Sequence, residues 1–144
     1  MMSKGRIAVA VEHDYDAPPE AVWRVITDHA RWSEWSGLRN SHLVREGHPD
    51  PNGVGCIRGF VAGTREEVLS FDPPKCTTYT LTRSVMPMKN HIGEIRLEPR
   101  GEGTRVLWRC WFDPSIPGLG GLLRGVITKM FRNALSGLEA RGFD

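Results

Sequence analysis

The sequence has little of what marks most specialised protein classes. Its cysteines number three, Cys56, Cys76 and Cys110, an odd count with no metal-ligand spacing between any two. Neither a disulfide framework nor a zinc site follows from them. All three fall in strand-like segments, where a free thiol acts as a small apolar residue, and a reducing, cytoplasmic setting is expected. Lysine is scarce: Lys4, Lys75, Lys89 and Lys129 are the only ones among 19 cationic residues. Against 17 carboxylates the net charge is +2, and no basic run exists, so neither nucleic acid nor an anionic membrane is expected as a partner. No apolar run approaches the ~20 residues that span a bilayer. Ile7 to Val11 is stopped by Glu12 and is too short for a signal-peptide core, so integral membrane association is not expected. Also absent are a Gly-x-Ser-x-Gly elbow, a His-Glu-x-x-His helix and a phosphate loop ending in Gly-Lys-Ser/Thr. Gly118-Leu119-Gly120-Gly121 precedes no nucleotide-binding unit, and Asp14-Tyr15-Asp16 reads as a strand end and helix cap rather than a metal site. No cofactor and no metal are expected.

What the chain does have is an ordinary globular balance, 40% hydrophobic and 25% charged in 144 residues, enough for one domain over 1–144 with a real core. Its strongest pattern runs from Pro117 to Gly142. Leu119, Leu122, Leu123, Val126, Ile127, Met130, Phe131, Ala134, Leu135 and Leu138 recur in steps of three and four, the period of one helix face. Pro117 suits a first turn and Gly142 the position past the last. The spacing predicts a helix near 118–141 whose apolar face must be received by the rest of the chain.

The remainder alternates with period two. Arg6 to Tyr15 puts Ile7, Val9, Val11, His13 and Tyr15 on one face. Asp16-Ala17-Pro18-Pro19-Glu20 ends that strand and opens a short helix, with Asp16 or Ala17 near the cap. Asp28 to Trp35 reads as a second short helix or turn. Strands are then predicted over Arg39–Gly47, Val54–Ala62, Thr64–Phe71, Cys76–Val85, His91–Glu98 and Thr104–Phe112, the last two joined by a hairpin. Seven strands joined by short turns imply an antiparallel sheet. Helices segregated on one side of it give an α+β fold. Parity points Val106, Trp108, Cys110 and Phe112 inward, with His91, Gly93, Ile95 and Leu97 beside them. Tyr79, Leu81, Arg83 and Val85 share a further inward face. For Val54–Ala62 the parity stays open: Cys56, Arg58 and Phe60 oppose Ile57, Gly59 and Val61.

This order of elements resembles the START-like, helix-grip superfamily, and within it most nearly the bacterial polyketide cyclase/dehydrase family. The stretches that carry the likeness are Asp16-Ala17-Pro18-Pro19-Glu20-Ala21-Val22-Trp23, Arg31-Trp32-Ser33-Glu34-Trp35, Gly53-Val54-Gly55, Ser70-Phe71-Asp72-Pro73-Pro74 and Gly103-Thr104-Arg105-Val106. The resemblance implies a seven-stranded curved antiparallel sheet wrapped around the long C-terminal helix, with two short helices after the first strand. It also implies a mainly apolar cavity between sheet and helix. Members bind lipids, hormones, quinones or polyketides, and some cyclise or aromatise polyketide chains. In such cyclases a cavity arginine is thought to orient a carbonyl. Arg58 occupies a similar strand position, and Tyr79 supplies a hydroxyl.

The residues themselves leave three functions open. One is a binder of a hydrophobic, oxygen-bearing small molecule. The second is a cyclase, aromatase or dehydratase with Arg58, Tyr79 and His91 as candidate catalytic groups. The third, weaker, is a protein-interaction module. The expected cavity is bounded by Tyr79, Leu81, Trp108, Phe112, Val126, Ile127 and Met130, with Arg58, Arg83 and His91 as polar anchors. Each anchor has a plainer alternative. Arg58 pairs with Glu67 on the neighbouring strand, Arg83 reaches solvent from a strand end, and His91 is a hydrogen-bonded wall residue. Trp32 and Trp35 either line the mouth or anchor the short helices. The expected partner is a small hydrophobic ligand, and monomer and homodimer are both compatible with the sequence.

Overall fold

The computed structural model describes residues 4–144. The first alternating stretch forms β1, Ile7–Tyr15, with Val9, Val11 and Tyr15 buried and Ala8, Ala10, Glu12 and Asp14 facing out. Two prolines end it. Pro18 is the N-cap of α1, Pro19–Ile26, and no side chain caps that helix; Asp16 and Ala17 do not serve as expected. Pro19 suits the first helical position because no donor is needed there. A 3-10 helix, His29–Glu34, follows. The chain then runs through β2 (His42–Arg45), β3 (Ile57–Gly59), β4 (Arg65–Asp72), β5 (Cys76–Arg83), β6 (Met88–Arg100) and β7 (Gly103–Pro114), and ends in α2 (Gly120–Arg141).

All seven strands join one antiparallel sheet in the order β1-β7-β6-β5-β4-β3-β2. This is the α+β helix-grip arrangement, with α2 packed over β1 and β7. Gly142 lies just past α2 at φ 77°, and its N–H returns to the Leu138 carbonyl. The hairpin between β6 and β7 closes through Gly101 and Glu102, with Gly101 at φ 58°.

Several expected boundaries shift. The stretches Arg39–Gly47 and Val54–Ala62 shrink to the short β2 and β3. After Phe60 the chain enters a tight turn, with Ala62 at φ 63° and Gly63 at φ 72°. The open parity of β3 resolves with Cys56, Arg58 and Phe60 inward, at 0%, 0% and 3% exposure. At the other end, β6 begins at Met88 rather than His91. Val85, expected inward, is 72% exposed, because β5 ends at Arg83 and the chain turns out of the sheet.

The core forms where the inner faces of β1, β6 and β7 meet α2. Trp108 stacks on Phe131 with ring centres 4.3 Å apart. The Tyr15 hydroxyl donates to the Leu135 carbonyl at 2.7 Å, tying the end of β1 to the helix. Of the ten apolar residues expected on the helix face, Leu122 and Val126 lie on its flank and stay exposed, at 65% and 42%. The buried stripe is narrower and runs through Leu123, Ile127, Phe131, Ala134, Leu135 and Leu138.

Two glycines permit close approaches that set this geometry. A methyl group on Gly137 would stand 2.0 Å from the Trp35 carbonyl oxygen, so its absence lets α2 lie against the backbone after the 3-10 helix. A methyl group on Gly93 would stand 2.2 Å from Cζ of Tyr79, its cross-strand partner. Gly93→Ala should therefore displace the Tyr79 ring and cost about 1–3 kcal/mol of stability, the usual range for overpacking. Urea unfolding checks this, and an unchanged midpoint would show that the ring has room to move.

Candidate functional site

The ladder between β5 and β6 runs only as far as Tyr79 opposite Gly93. Beyond it, side chains take over the bonding. The Thr80 hydroxyl donates to the His91 carbonyl at 2.6 Å, and the Leu81 N–H donates to His91 Nδ1 at 3.2 Å. The two strands part there, and a cavity of about 220 Å³ opens between the sheet and α2. Its wall is largely apolar: Trp32, Phe60, Leu81, Met86, Met88, Trp108, Ile127, Met130 and Phe131 all contribute. Glu66, His91, Ser36, Thr64 and Asn133 supply its polar points.

The floor is built on Arg58. Its side chain is fully buried, and its Nε donates to Glu66 Oε1 at 2.8 Å. The guanidinium carbon lies 4.2 Å from the Trp32 ring centre and 4.4 Å from that of Tyr79. Stacking of a weakly hydrated guanidinium on aromatic faces offsets part of its desolvation. Its two terminal nitrogens are buried without a hydrogen-bond partner among the described residues. Arg58 thus stands behind the cavity wall and presents Glu66 to the interior. The register decides this pairing: Arg58 lies directly opposite Glu66, while Glu67 turns to Arg45. The expected pair with Glu67 is not formed.

His91 enters the cavity from β6. Since Nδ1 accepts from the Leu81 N–H, the ring proton sits on Nε2. Burial pushes its pKa below the ordinary 6.5, with the Arg58 charge adding to the shift and the Glu66 charge opposing it. The imidazole is therefore neutral near pH 7. Tyr79 offers the cavity its ring, while its hydroxyl accepts from Trp108 Nε1 at 2.7 Å. Burial drives the Tyr79 pKa well above 10, so it is no acid at neutral pH.

Of the expected site residues, Tyr79, Leu81, His91, Trp108, Ile127 and Met130 come together around this cavity. Four do not line it. Phe112 is fully buried in the core. Val126 faces out on the helix flank. Arg83 is exposed at the end of β5, where its guanidinium covers Gly63. Arg58 lies beneath the wall. Trp32 lines the cavity and also anchors the 3-10 helix, its Nε1 donating to the Ile26 carbonyl at 2.8 Å, whereas Trp35 packs away from the cavity. Glu66 and Asn133 were not anticipated. The signal for Glu66 was the Val61-Ala62-Gly63 turn, since a tight turn there sets Arg58 opposite Glu66.

A buried Cys56–His29 contact adjoins this floor, Sγ to Nδ1 at 3.6 Å. Burial raises the thiol pKa and lowers that of the imidazole, so both are neutral. Both are sealed from solvent, which leaves the thiol structural.

Residues 6–142 match the model of the family described as polyketide cyclase / dehydrase and lipid transport. The chain belongs to that family. No protein of curated function matches the sequence. Among solved structures, a Thermobifida fusca protein is 24% identical with a TM-score of 0.80, covering 93% of this chain and 91% of its own. A START superfamily protein of Mycobacterium smegmatis is 11% identical with a TM-score of 0.80, covering 94% and 97%. A Thermus thermophilus protein is 24% identical with a TM-score of 0.70, covering 93% and 95%. These likenesses establish the fold. Membership of the polyketide cyclase / dehydrase and lipid transport family suggests a role in binding hydrophobic ligands or in cyclase-like chemistry. Among the described residues, no helix is long and apolar enough to cross a membrane.

The buried ion pair and the buried neutral histidines both bear on stability. Glu66→Ala strands Arg58 without its counter-ion and should cost about 3–5 kcal/mol in chemical unfolding. Arg58→Met with Glu66→Leu removes both charges and should recover most of that loss. Recovery absent from the double variant would mean that the pair is not the cause. The second prediction concerns pH. His29 and His91 both have folded pKa values below the ordinary 6.5. The unfolded chain then binds more protons below that value, so stability is complete above it and declines as pH falls. The decline should approach at most about 1.4 kcal/mol per pH unit for each histidine held neutral. His29→Gln should flatten the slope between pH 6.5 and acid unfolding; a wild-type curve already flat there would contradict the assignment.

Proposed function

We propose that the protein binds a hydrophobic, oxygen-bearing small molecule of polyketide-, quinone- or lipid-like character in the cavity between sheet and α2. The observation that carries this reading is the cavity itself: aromatic and methionine walls around a few polar groups, open between the sheet and α2. Met86, Met88 and Met130 give the wall an adaptable surface. Trp32 and Trp108 offer broad apolar faces.

Binding is favoured over cyclase or dehydratase catalysis by the state of the polar groups. A cyclisation needs a base within reach of a substrate carbon. His91 is committed through Nδ1 and already protonated on Nε2, so it offers no free lone pair. Glu66 is anchored through Oε1 by the Arg58 Nε–H. The Tyr79 hydroxyl is engaged by Trp108. His91 and Tyr79 are thus tied to neighbouring groups of the protein rather than free to move a proton.

Native mass spectrometry of the purified protein tests for a retained ligand, and tryptophan fluorescence follows titration with a quinone, a fatty acid or an aromatic polyketide. Met130→Trp should fill the cavity from the partly exposed helix flank. It should weaken binding about tenfold or more while leaving the melting transition in place. If none of these compounds binds wild type, the reading fails; equal binding by wild type and Met130→Trp would move the site elsewhere.

A further inference from the structure

Two polar groups that line the cavity, Glu66 and His91, are complementary in hydrogen-bonding sense, and each has one position unused. Glu66 accepts from Arg58 through Oε1, and among the described residues its Oε2 takes no hydrogen bond. A carboxylate can only accept. His91 uses Nδ1 as an acceptor from β5, which leaves Nε2–H, a position that can only donate. Neither atom is among the sealed, partnerless ones, which are His29 Nε2, Trp35 Nε1 and the two terminal nitrogens of Arg58. Both residues line the cavity.

Their placement is set by the sheet. Glu66 on β4 lies opposite Leu81 on β5, and the Leu81 N–H holds His91 on β6. The two groups therefore stand one on either side of Leu81, two strands apart, with backbones separated by at least roughly 10 Å because β5 and β6 have already parted there. The surface between them is apolar: Leu81 itself, with the Tyr79 ring alongside. A single carbon bearing both a hydroxyl and a carbonyl does not span that interval, whereas a ring with the two groups on opposite edges does.

Resting on the binding reading above, we infer that the ligand is a hydroxyaryl ketone or hydroxyquinone: a flat ring system with a hydroxyl donating to Glu66 and a carbonyl oxygen accepting from His91 Nε2–H, its ring face against Leu81 and the aromatic wall. An unpaired polar group in such a site costs more than the pair gains, so compounds lacking either function are discriminated against. A saturated fatty acid meets only half the pattern, and its carboxylate would oppose Glu66.

A matched series tests this on the wild-type protein: 6-hydroxy-1-tetralone, 6-methoxy-1-tetralone, 1-tetralone, 2-naphthol and tetralin, titrated by tryptophan fluorescence. The hydroxy-ketone should bind about tenfold or more tightly than the methoxy-ketone, 1-tetralone or 2-naphthol, and tetralin should bind least. Glu66→Gln keeps an oxygen for Arg58 and turns an amide N–H₂ toward the cavity. It should lose or reverse the preference for hydroxyl over methoxy while keeping the preference for ketone. Comparable affinities across the series would overturn the donor–acceptor assignment and leave hydrophobic binding intact. Binding of a fatty acid or plain quinone with no tetralone bound would overturn it as well. No binding by any compound would remove both readings. An unchanged hydroxyl preference in folded Glu66→Gln would exclude Glu66 as the acceptor.

Discussion

A fully buried guanidinium sets the terms for the rest of this molecule. Taking Arg58 out of water is expensive, and the surrounding residues are arranged to reduce that cost. Trp32 and Tyr79 cover its two faces, and Glu66 supplies the counter-charge. Those three contacts come from three different parts of the chain, the 3-10 helix, β5 and β4. The cation therefore acts as a cross-link whose partners cannot be displaced one at a time without stranding charge. The same charge reaches further, helping to depress the pKa values of His29 and His91 and so to keep both neutral. Lysine would not substitute, since it lacks a planar face to fill the space between two aromatic rings.

The cavity exists because bonding in the sheet changes character above this floor. Up to Tyr79, β5 and β6 are joined by backbone bonds; beyond it Thr80 and His91 carry the link with side-chain atoms. That exchange satisfies the polar groups of two separating strands, which would otherwise be left unpaired at the edge of an apolar space. Asn90 adopts φ 53° at this point, one of few non-glycine residues to do so. The opening and the placement of His91 are thus one event in the fold.

How far the sequence revealed this depends on the kind of signal each segment carried. In β1, β6 and β7 one face is buried and the other wet, so alternation identified Val9, Ile95, Leu97, Val106, Trp108 and Cys110 as inward without help from the structure. In β3 both faces mix apolar and special residues, and a buried arginine inverts the usual rule, so Arg58 could not be placed. Glu66 and Glu67 are adjacent and chemically alike, and only the turn through Ala62 and Gly63 distinguishes them. Arg83 escapes the alternation because β5 ends there and the chain leaves the sheet. Val126 faces out because a helix face defined by spacing alone is wider than the surface beneath it. The architecture was legible because it rests on periodicity, while the polar floor was not, because it rests on register.

The polar groups of the floor also bear on how tightly a ligand is held. Arg58, Glu66, Tyr79 and His91 are each fixed by at least one contact within the protein. Side chains already immobile lose little rotamer freedom when a ligand arrives, a cost of about 0.5–1.5 kcal/mol for each flexible one ordered at an interface. The methionines that line the cavity, on β6, before it and on α2, have unbranched chains that adjust to shape at small cost. The fixed polar groups are suited to reading where a ligand carries its oxygens. The methionines are tolerant of the size of its hydrocarbon part. This division allows strict selection on oxygen pattern together with loose selection on bulk.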